Sequence, residues 1–168
     1  MSRSPLKTLI LCTGNSARSI VAEYLLRVRG AGRFEVHSAG AKPTGRVNPF
    51  ALWVLKERYG IDASDARSKS WDEFRATKFD LVITVCDNAK ESCPLWVGSP
   101  LVAHWSSPDP AGVEGDDEAK RRAFVAVASQ IDARVKLLCA LPADKLVADR
   151  VQAIGHEHKL ADESGMPR

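Results

Sequence analysis

Short apolar runs alternate along the chain with longer stretches in which apolar residues recur every three or four positions. The short runs are typical of buried strands and cover residues 6–11, 34–38, 79–85 and 101–105. The spacing in the longer stretches predicts amphipathic helices over residues 19–29, 51–59 and 117–141. Gly30 and Gly60 follow the first two helices as stop signals, and Asn48-Pro49 precedes the second helix as its start signal. Residues 143–155 are expected to add one more short helix.

Strands that alternate with helices predict a parallel sheet with crossover connections. The expected fold is therefore α/β, a four-stranded parallel open sheet with helices on both faces and flavodoxin-like topology. Residues 1–155 are long enough for a single domain with a sizeable core. The polar end, residues 156–168, is expected to be a flexible tail.

The 168-residue chain carries a formal net charge of +3, spread along its length. Such a mild charge indicates neither nucleic acid nor a membrane surface as a partner. No apolar run reaches membrane-spanning length, and residues 1–6 are too short and polar for a secretion signal. With four cysteines and no such signal, the sequence predicts a cytoplasmic protein with reduced thiols.

The segment between the first strand and the first helix carries most of the candidate chemistry. Backbone amides that turn into a helix N-terminus converge on one point, and the helix dipole adds positive charge there. This segment is therefore expected to hold a tetrahedral oxyanion, with Arg18 as a planar fork that grips two of its oxygens. The expected oxyanion-binding residues are Thr13, Gly14, Asn15, Ser16, Ala17 and Arg18.

Cys12 stands at the focus of this positive field. A thiolate is favoured there, so Cys12 is a candidate nucleophile, and Ser19 is placed to donate a hydrogen bond to it. The segment lacks the Gly-Lys-Ser/Thr ending of a nucleotide-binding loop. The alternative is that Cys12 is a small buried apolar residue at a strand end.

The spacing of Cys12, Arg18 and Ser19 matches the Cys-x5-Arg-Ser signature of the low-molecular-weight tyrosine phosphatase superfamily, which the sequence resembles. Asp109-Pro110 agrees with a second motif of that family. The resemblance implies the phosphatase fold and a role for Asp109 as the general acid that protonates the leaving oxygen. From its neighbours alone, Asp109 is typical of a turn residue.

A second cysteine-bearing segment, residues 85–94, follows the third apolar run. Cys86 is expected at the same sheet edge as Cys12, because the ends of parallel strands share one edge. This segment resembles that of the arsenate reductases within the same superfamily. The resemblance implies a relay through Cys12, Cys86 and Cys93 that ends in a Cys86–Cys93 disulfide. Simple packing or a metal pair is the alternative for the last two thiols, although no further zinc ligands lie nearby in the sequence.

The resemblance implies arsenate as substrate, no cofactor, and thioredoxin as reductant, with glutaredoxin or a low-molecular-weight thiol as the other possibility. The main rival activity is hydrolysis of phosphate monoesters through a phosphocysteine. Against it, Ala111-Gly112-Val113 follow Asp109-Pro110, where phosphatases of this family usually carry aromatic residues. A non-catalytic oxyanion-binding module is a third interpretation, and it needs neither an acid nor relay thiols.

Several reductases that the sequence resembles hold a monovalent cation beside the anion loop. Asn15, Glu23 and Ser38 match that site, but Lys69 stands about where its last carboxylate is expected. The ammonium group of Lys69 either fills the site and pairs with Glu23, or is a solvated loop charge. No metal site is predicted, and Cys139 is expected to pack in the core.

Overall fold

The computed structural model describes residues 4–87 and 95–160. Its strands are β1 (Leu6–Cys12), β2 (Phe34–Gly40), β3 (Leu81–Thr84) and β4 (Leu101–His104). Its α-helices are α1 (Arg18–Arg29), α2 (Pro49–Tyr59), α3 (Asp117–Ala140) and α4 (Ala148–Ile154). In the same described ranges, short 3₁₀ helices lie at Trp71–Phe74, Pro110–Gly112 and Ala143–Lys145.

The four strands form one parallel sheet in the order β2-β1-β3-β4. In this sheet, Leu11 of β1 lies opposite Ala39 of β2 and Thr84 of β3. The carboxyl ends of these strands therefore meet at one edge, where the loops that leave them converge. The predicted α/β fold with a four-stranded parallel sheet is confirmed.

The two faces of the sheet are covered differently. Ile10 and Ile83 belong to the larger core, which holds buried residues from all four α-helices. Leu9 and Val82 belong to a smaller core on the other face, and Trp71, Phe74 and Trp96 pack against it. Within the part of the chain that the structure describes, the helical cover of this second face is the 3₁₀ helix Trp71–Phe74.

The ends of α2 follow from local sequence. The Asn48 side chain accepts a hydrogen bond of 2.9 Å from the Phe50 amide, and Pro49 stands in the first turn, where its missing amide costs nothing. Gly60 ends the helix in left-handed backbone, with φ of 66°. The sequence signals at both ends of this helix are confirmed.

Two strand ends differ by two residues from those predicted, and the others agree to within one residue. Strand β2 continues to Gly40 because it stays paired with β1 through Cys12, and because the Gly40 amide donates to the Lys69 carbonyl at 2.9 Å. Strand β3 begins at Leu81 rather than residue 79, since the Asp80 side chain accepts from the Lys7 amide at 2.9 Å. Neither difference moves the edge at which the strands end.

The C-terminal part of the chain packs against the domain. The helix predicted over residues 143–155 is divided into the 3₁₀ helix Ala143–Lys145 and α4. Of the tail that we expect to be flexible, residues 156–160 are described, and Leu160 packs against the larger core. Across residues 4–87 and 95–160, no helix combines the length and apolar character that crossing a membrane requires.

Candidate active site

The loop that joins β1 to α1 is held by hydrogen bonds on its outer side. Backbone amides within residues 41–48 donate bonds of 2.9–3.1 Å to four loop carbonyls, those of Cys12, Thr13, Gly14 and Ser16. In a trans peptide, a carbonyl and the following amide point in opposite directions. The amides that follow these carbonyls therefore face inward, as the Asn15 amide does with its 3.2 Å bond to Cys12 Sγ. The inward-facing amides of this loop form a binding site for an anion, which we call the cradle.

Asn15 holds the cradle in shape from within. Its backbone φ of 48° lies in the left-handed region, which asparagine tolerates better than most residues. Its buried side-chain amide donates to Ser19 Oγ at 2.8 Å and to Ser38 Oγ at 3.0 Å. The Lys69 backbone amide donates to Asn15 Oδ1 at 2.9 Å. These bonds tie the turn to α1, to β2 and to the Lys69 segment.

Gly40, at the end of β2, packs directly under the cradle. A Cβ atom at this position would lie 2.5 Å from the Thr13 carbonyl oxygen and 3.0 Å from the Asn15 nitrogen. Only glycine allows the strand and the loop to approach so closely. The sequence carried a weak signal for this role, a glycine at the end of the second apolar run.

Cys12 lies at the end of β1 with 2% of its surface exposed, and its thiol is free. Its Sγ lies 2.9 Å from Ser19 Oγ. Helix α1 begins at Arg18 with no acidic residue in its first turn and no side-chain cap, so no carboxylate of the helix itself neutralises the positive end that faces the cradle. These are the partners that stabilise a thiolate nucleophile.

Arg18 links the cradle to the segment that carries Asp109. The guanidinium is 5% exposed; its Nη1 donates to the Ser107 carbonyl at 3.0 Å, and its Nη2 lies 3.9 Å from Asp109 Oδ2. The other carboxylate oxygen, Oδ1, accepts from the Ala111 amide at 3.0 Å and caps the 3₁₀ helix there. Asp109 is 43% exposed, so its carboxylate stands at the mouth of the cradle and also serves as a turn residue.

Cys86 emerges at the same sheet edge as Cys12. The register pairs Leu11 with Thr84, and the Val85 amide donates to the Leu11 carbonyl at 3.0 Å. Val85 is therefore the residue opposite Cys12, and Cys86 is the next residue along the chain. Its side chain is fully buried.

The cysteines differ in redox state. Cys86 is disulfide-bonded, whereas Cys12 and Cys139 are free. Cys139 is half-buried against the larger core, as expected, and burial raises the pKa of its thiol. Cys93, the third thiol of the expected relay, lies outside the described residues.

The Lys69 ammonium lies among the residues that match a cation site. Its Nζ donates to the Arg67 carbonyl at 2.9 Å and to Ser38 Oγ at 3.4 Å, and lies 3.9 Å from Glu23 Oε1. The side chain is 9% exposed, and burial lowers the pKa of Lys69 while Glu23 opposes that change. The structure favours an ammonium that fills the site over a solvated loop charge.

Two serines complete the site without having been singled out from the sequence. Ser68 Oγ donates to the Gly14 carbonyl at 3.2 Å, and Ser107 offers its carbonyl to Arg18. A backbone carbonyl carries no side-chain signal, so nothing in the sequence pointed to Ser107. Ser68 precedes Lys69, which was singled out from the sequence, but its hydrogen-bond acceptor is a backbone carbonyl 54 residues earlier in the chain.

The fold and site together define a cysteine-dependent α/β protein with a cradle for a tetrahedral oxyanion. The chain belongs to the low molecular weight phosphotyrosine protein phosphatase family, whose model matches residues 7–152.

Similar proteins include several arsenate reductases. That of Halalkalibacterium halodurans is 40% identical over 126 residues, which cover 75% of this chain and 89% of the relative. A solved arsenate reductase in its oxidized state is 32% identical with a TM-score of 0.66, covering 80% of this chain and 96% of that one. A thioredoxin-dependent arsenate reductase of Corynebacterium glutamicum is 30% identical with a TM-score of 0.56, covering 81% of this chain and 61% of that one.

Proposed function

We propose that this protein reduces arsenate to arsenite through Cys12 and an intramolecular cysteine relay. The observation that carries the proposal is the juxtaposition of a free thiol in an oxyanion cradle with a second, disulfide-bonded cysteine at the same sheet edge. Hydrolysis of a phosphate ester needs the first thiol only. The 40% identity to a named arsenate reductase supports the same conclusion.

The first step is attack by the Cys12 thiolate on arsenic(V) bound in the cradle. Arg18 and the inward amides stabilise the negative charge of the oxyanion, and Asp109 gives a proton to the oxygen that leaves as water. A bond forms between Cys12 Sγ and arsenic, and one arsenic–oxygen bond breaks. Before attack, the Ser19 hydroxyl donates a hydrogen bond to the thiolate and keeps its proton.

The second step transfers two electrons. The Cys86 thiolate attacks Cys12 Sγ, a sulfur–sulfur bond forms, and the electron pair of the sulfur–arsenic bond goes to arsenic, which leaves as arsenite. Cys93 then attacks Cys86, which frees the Cys12 thiolate and moves the disulfide to Cys86–Cys93. A disulfide at Cys86 together with a free Cys12 corresponds to this last state and supports the order of steps.

We propose that thioredoxin reduces the final disulfide in the cytoplasm, where thiol reductants are maintained. An exposed apolar surface lies just after Cys93 in the chain: Leu95 is 80% exposed and Val97 84% exposed. With Trp71 and Trp96 they line a groove of about 390 Å³, which Asp72 and Arg75 also line. Exposed apolar surface of this kind suits contact with a protein reductant better than attack by a small, charged thiol.

The choice of reductant is tested by steady-state turnover with thioredoxin, or with glutaredoxin plus glutathione. We expect turnover with thioredoxin, and a several-fold higher KM for thioredoxin in Val97→Asp. The matched control is Val28→Asp, an exposed valine on α1 that should leave KM unchanged. Turnover with glutaredoxin and glutathione alone would overturn the assignment.

The activity itself is tested with purified protein, arsenate and a thiol reductant. We expect arsenite formation, and none from a folded Cys12→Ser protein, because a serine hydroxyl is not ionised at neutral pH. Cys86→Ser should stop after the first step, with arsenate bound covalently to Cys12. Arsenite production by Cys12→Ser would overturn the mechanism.

Hydrolysis of a phosphotyrosine analogue measures the rival activity in the same preparation. The residues after Asp109-Pro110 are Ala111, Gly112 and Val113, which offer no aromatic ring to hold such a substrate. We therefore expect hydrolysis that is slow compared with arsenate reduction. Rapid hydrolysis without arsenate reduction would establish the phosphatase instead.

A further inference from the structure

The guanidinium of Arg134 is fully buried where α3 passes behind the segment that leads to Asp109. Its Nη1 donates to the Ser106 carbonyl at 2.7 Å and lies 3.4 Å from Ser107 Oγ. Ser107 is the residue whose carbonyl accepts from Arg18 at 3.0 Å. The segment before Asp109 is therefore gripped from two sides, by Arg18 from the cradle and by Arg134 from behind.

The other half of the Arg134 fork binds the C-terminal part of the chain. Its Nη2 donates to the Gly155 carbonyl and its Nε to the Glu157 carbonyl, both at 3.0 Å. Both acceptors lie beyond residue 152, where the match to the family model ends. The planar guanidinium thus joins the acid-bearing segment to a part of this chain outside the family match.

A second set of bonds fixes α4 to the start of the segment that carries Asp109. The Trp105 indole donates to the Val151 carbonyl at 2.8 Å, and the His104 amide donates to Gln152 Oε1 at 2.7 Å. A Cβ atom on Gly155 would lie 2.6 Å from the His104 carbonyl oxygen. The end of α4 is therefore packed tightly against the start of the segment that carries Asp109.

We infer that Arg134 is a positioning residue for the reaction, anchored on the C-terminal segment, and that it sets the position of Asp109 relative to the cradle. The inference rests on the proposed role of Asp109 as general acid. Displacement of a reacting group by about 1 Å lowers rates steeply, on the order of 100-fold. Arg134 contacts the segment before Asp109 at Ser106 and Ser107, and its effect on the acid passes through these two residues.

The test is single-turnover kinetics at saturating arsenate, measured as loss of the Cys12 thiol, which needs no external reductant. In Arg134→Lys, which keeps the charge but loses the fork, we expect a rate about tenfold lower. The matched control is Arg33→Lys. Arg33 also donates to two backbone carbonyls, at 2.8 and 2.9 Å, but these belong to Cys139 and Leu141 at the end of α3, on the opposite edge of the sheet. It should leave the rate unchanged.

A double-variant cycle separates positioning of Asp109 from a general structural defect. In the Asp109→Asn background the general acid is already absent, so its position no longer affects the reaction. Adding Arg134→Lys should therefore change the single-turnover rate less than twofold. Gly155→Ala, which disturbs the C-terminal anchor while keeping Arg134, should lower the rate only when Asp109 is present.

Three outcomes are distinguishable. A parental rate in both Arg134→Lys and Gly155→Ala overturns the inference and leaves the proposed function standing. A tenfold loss that persists in the Asp109→Asn background shows a structural effect and also overturns it. A parental rate in Asp109→Asn itself refutes the role of Asp109 as general acid. The inference about Arg134 then fails together with that role.

Discussion

Ser19 and Cys12 share a hydrogen bond between the serine oxygen and the thiol sulfur. The Asn15 side-chain amide donates to Ser19 Oγ at 2.8 Å, which occupies an acceptor position of that oxygen, and Cys12 Sγ lies 2.9 Å away on the other side. A serine hydroxyl donates one hydrogen bond and accepts two, so Ser19 can accept from Asn15 and still donate to the sulfur when Cys12 is a thiolate, which has no hydrogen of its own. One hydroxyl connects the residue that shapes the cradle to the nucleophile within it.

Replacement of Ser19 by alanine should slow alkylation of Cys12 by iodoacetamide at pH 7 at least about tenfold, because a hydrogen bond to a charged group contributes about 1.5–3 kcal/mol. Mass spectrometry of the labelled peptides gives the rate. Cys139 is an internal control, since burial raises the pKa of its thiol and Ser19 does not contact it. Unchanged Cys12 labelling would show that the hydroxyl does not activate the thiolate.

Arg18→Lys should lower kcat/KM for arsenate by about 100-fold or more although the charge is kept, because a point charge replaces a planar fork. Steady-state kinetics gives the loss. Arg29→Lys is the matched control: Arg29 also makes a two-pronged contact, with Asp132, at the far end of the same helix. Equal losses in the two variants would contradict a specific role for Arg18.

Gly40→Ala should weaken binding of phosphate, a competing oxyanion, by at least about tenfold, because a methyl group 2.5 Å from the Thr13 carbonyl pushes the cradle out of shape. Calorimetric titration measures the affinity. Gly32→Ala is the control, since its φ of 85° costs stability, about 1–2 kcal/mol, with no atom of the site nearby. Normal phosphate affinity in Gly40→Ala would refute the close-packing argument.

Lys69→Met should remove a pH-dependent part of the stability. The lowered pKa of Lys69 means that, between that value and 10.5, the unfolded chain binds a proton that the folded protein has released. The free energy of unfolding therefore rises with pH in this window, by at most about 1.4 kcal/mol per pH unit. The variant should lack that rise.

Urea unfolding of both proteins from pH 7.5 to 10 at constant ionic strength measures the difference. Tyr24, Tyr59 and Cys139 have raised pKa values and lower the stability as pH rises, but they are present in both proteins and cancel. Parallel curves for parent and variant would mean that Lys69 releases no proton in this range.

The predictable parts of this molecule are those encoded locally. The caps at Asn48 and Gly60, the apolar runs and the Cys12 to Ser19 segment each carry their information within a few residues, and the structure has them where expected. Lys69 was reached by comparison with a family pattern, and from the sequence two interpretations stayed open. Only the distances to Glu23 and Ser38 decide between them.

The less predictable parts depend on contacts between distant segments. Arg134 binds carbonyls 21 to 28 residues away, and any residue could supply a carbonyl. Gly40 matters because of the Thr13 carbonyl above it, a relation set by strand register rather than by neighbouring sequence. Backbone acceptors, and close approaches between two backbone segments, leave no pattern of side chains. They therefore cannot be predicted from the sequence.

The outer hydrogen bonds of the cradle have a consequence for selectivity. Since residues 41–48 and Ser68 hold the loop carbonyls, hydrogen bonds within the protein rather than a bound anion set the shape of the site. Arsenate and phosphate have nearly the same shape and charge, so a rigid receptor of this kind admits both. Discrimination must then come after binding: arsenic in a thiol adduct accepts an electron pair when Cys86 attacks, and phosphorus does not. Phosphate is expected to be a competitive inhibitor that occupies the protein without ever being turned over by the relay.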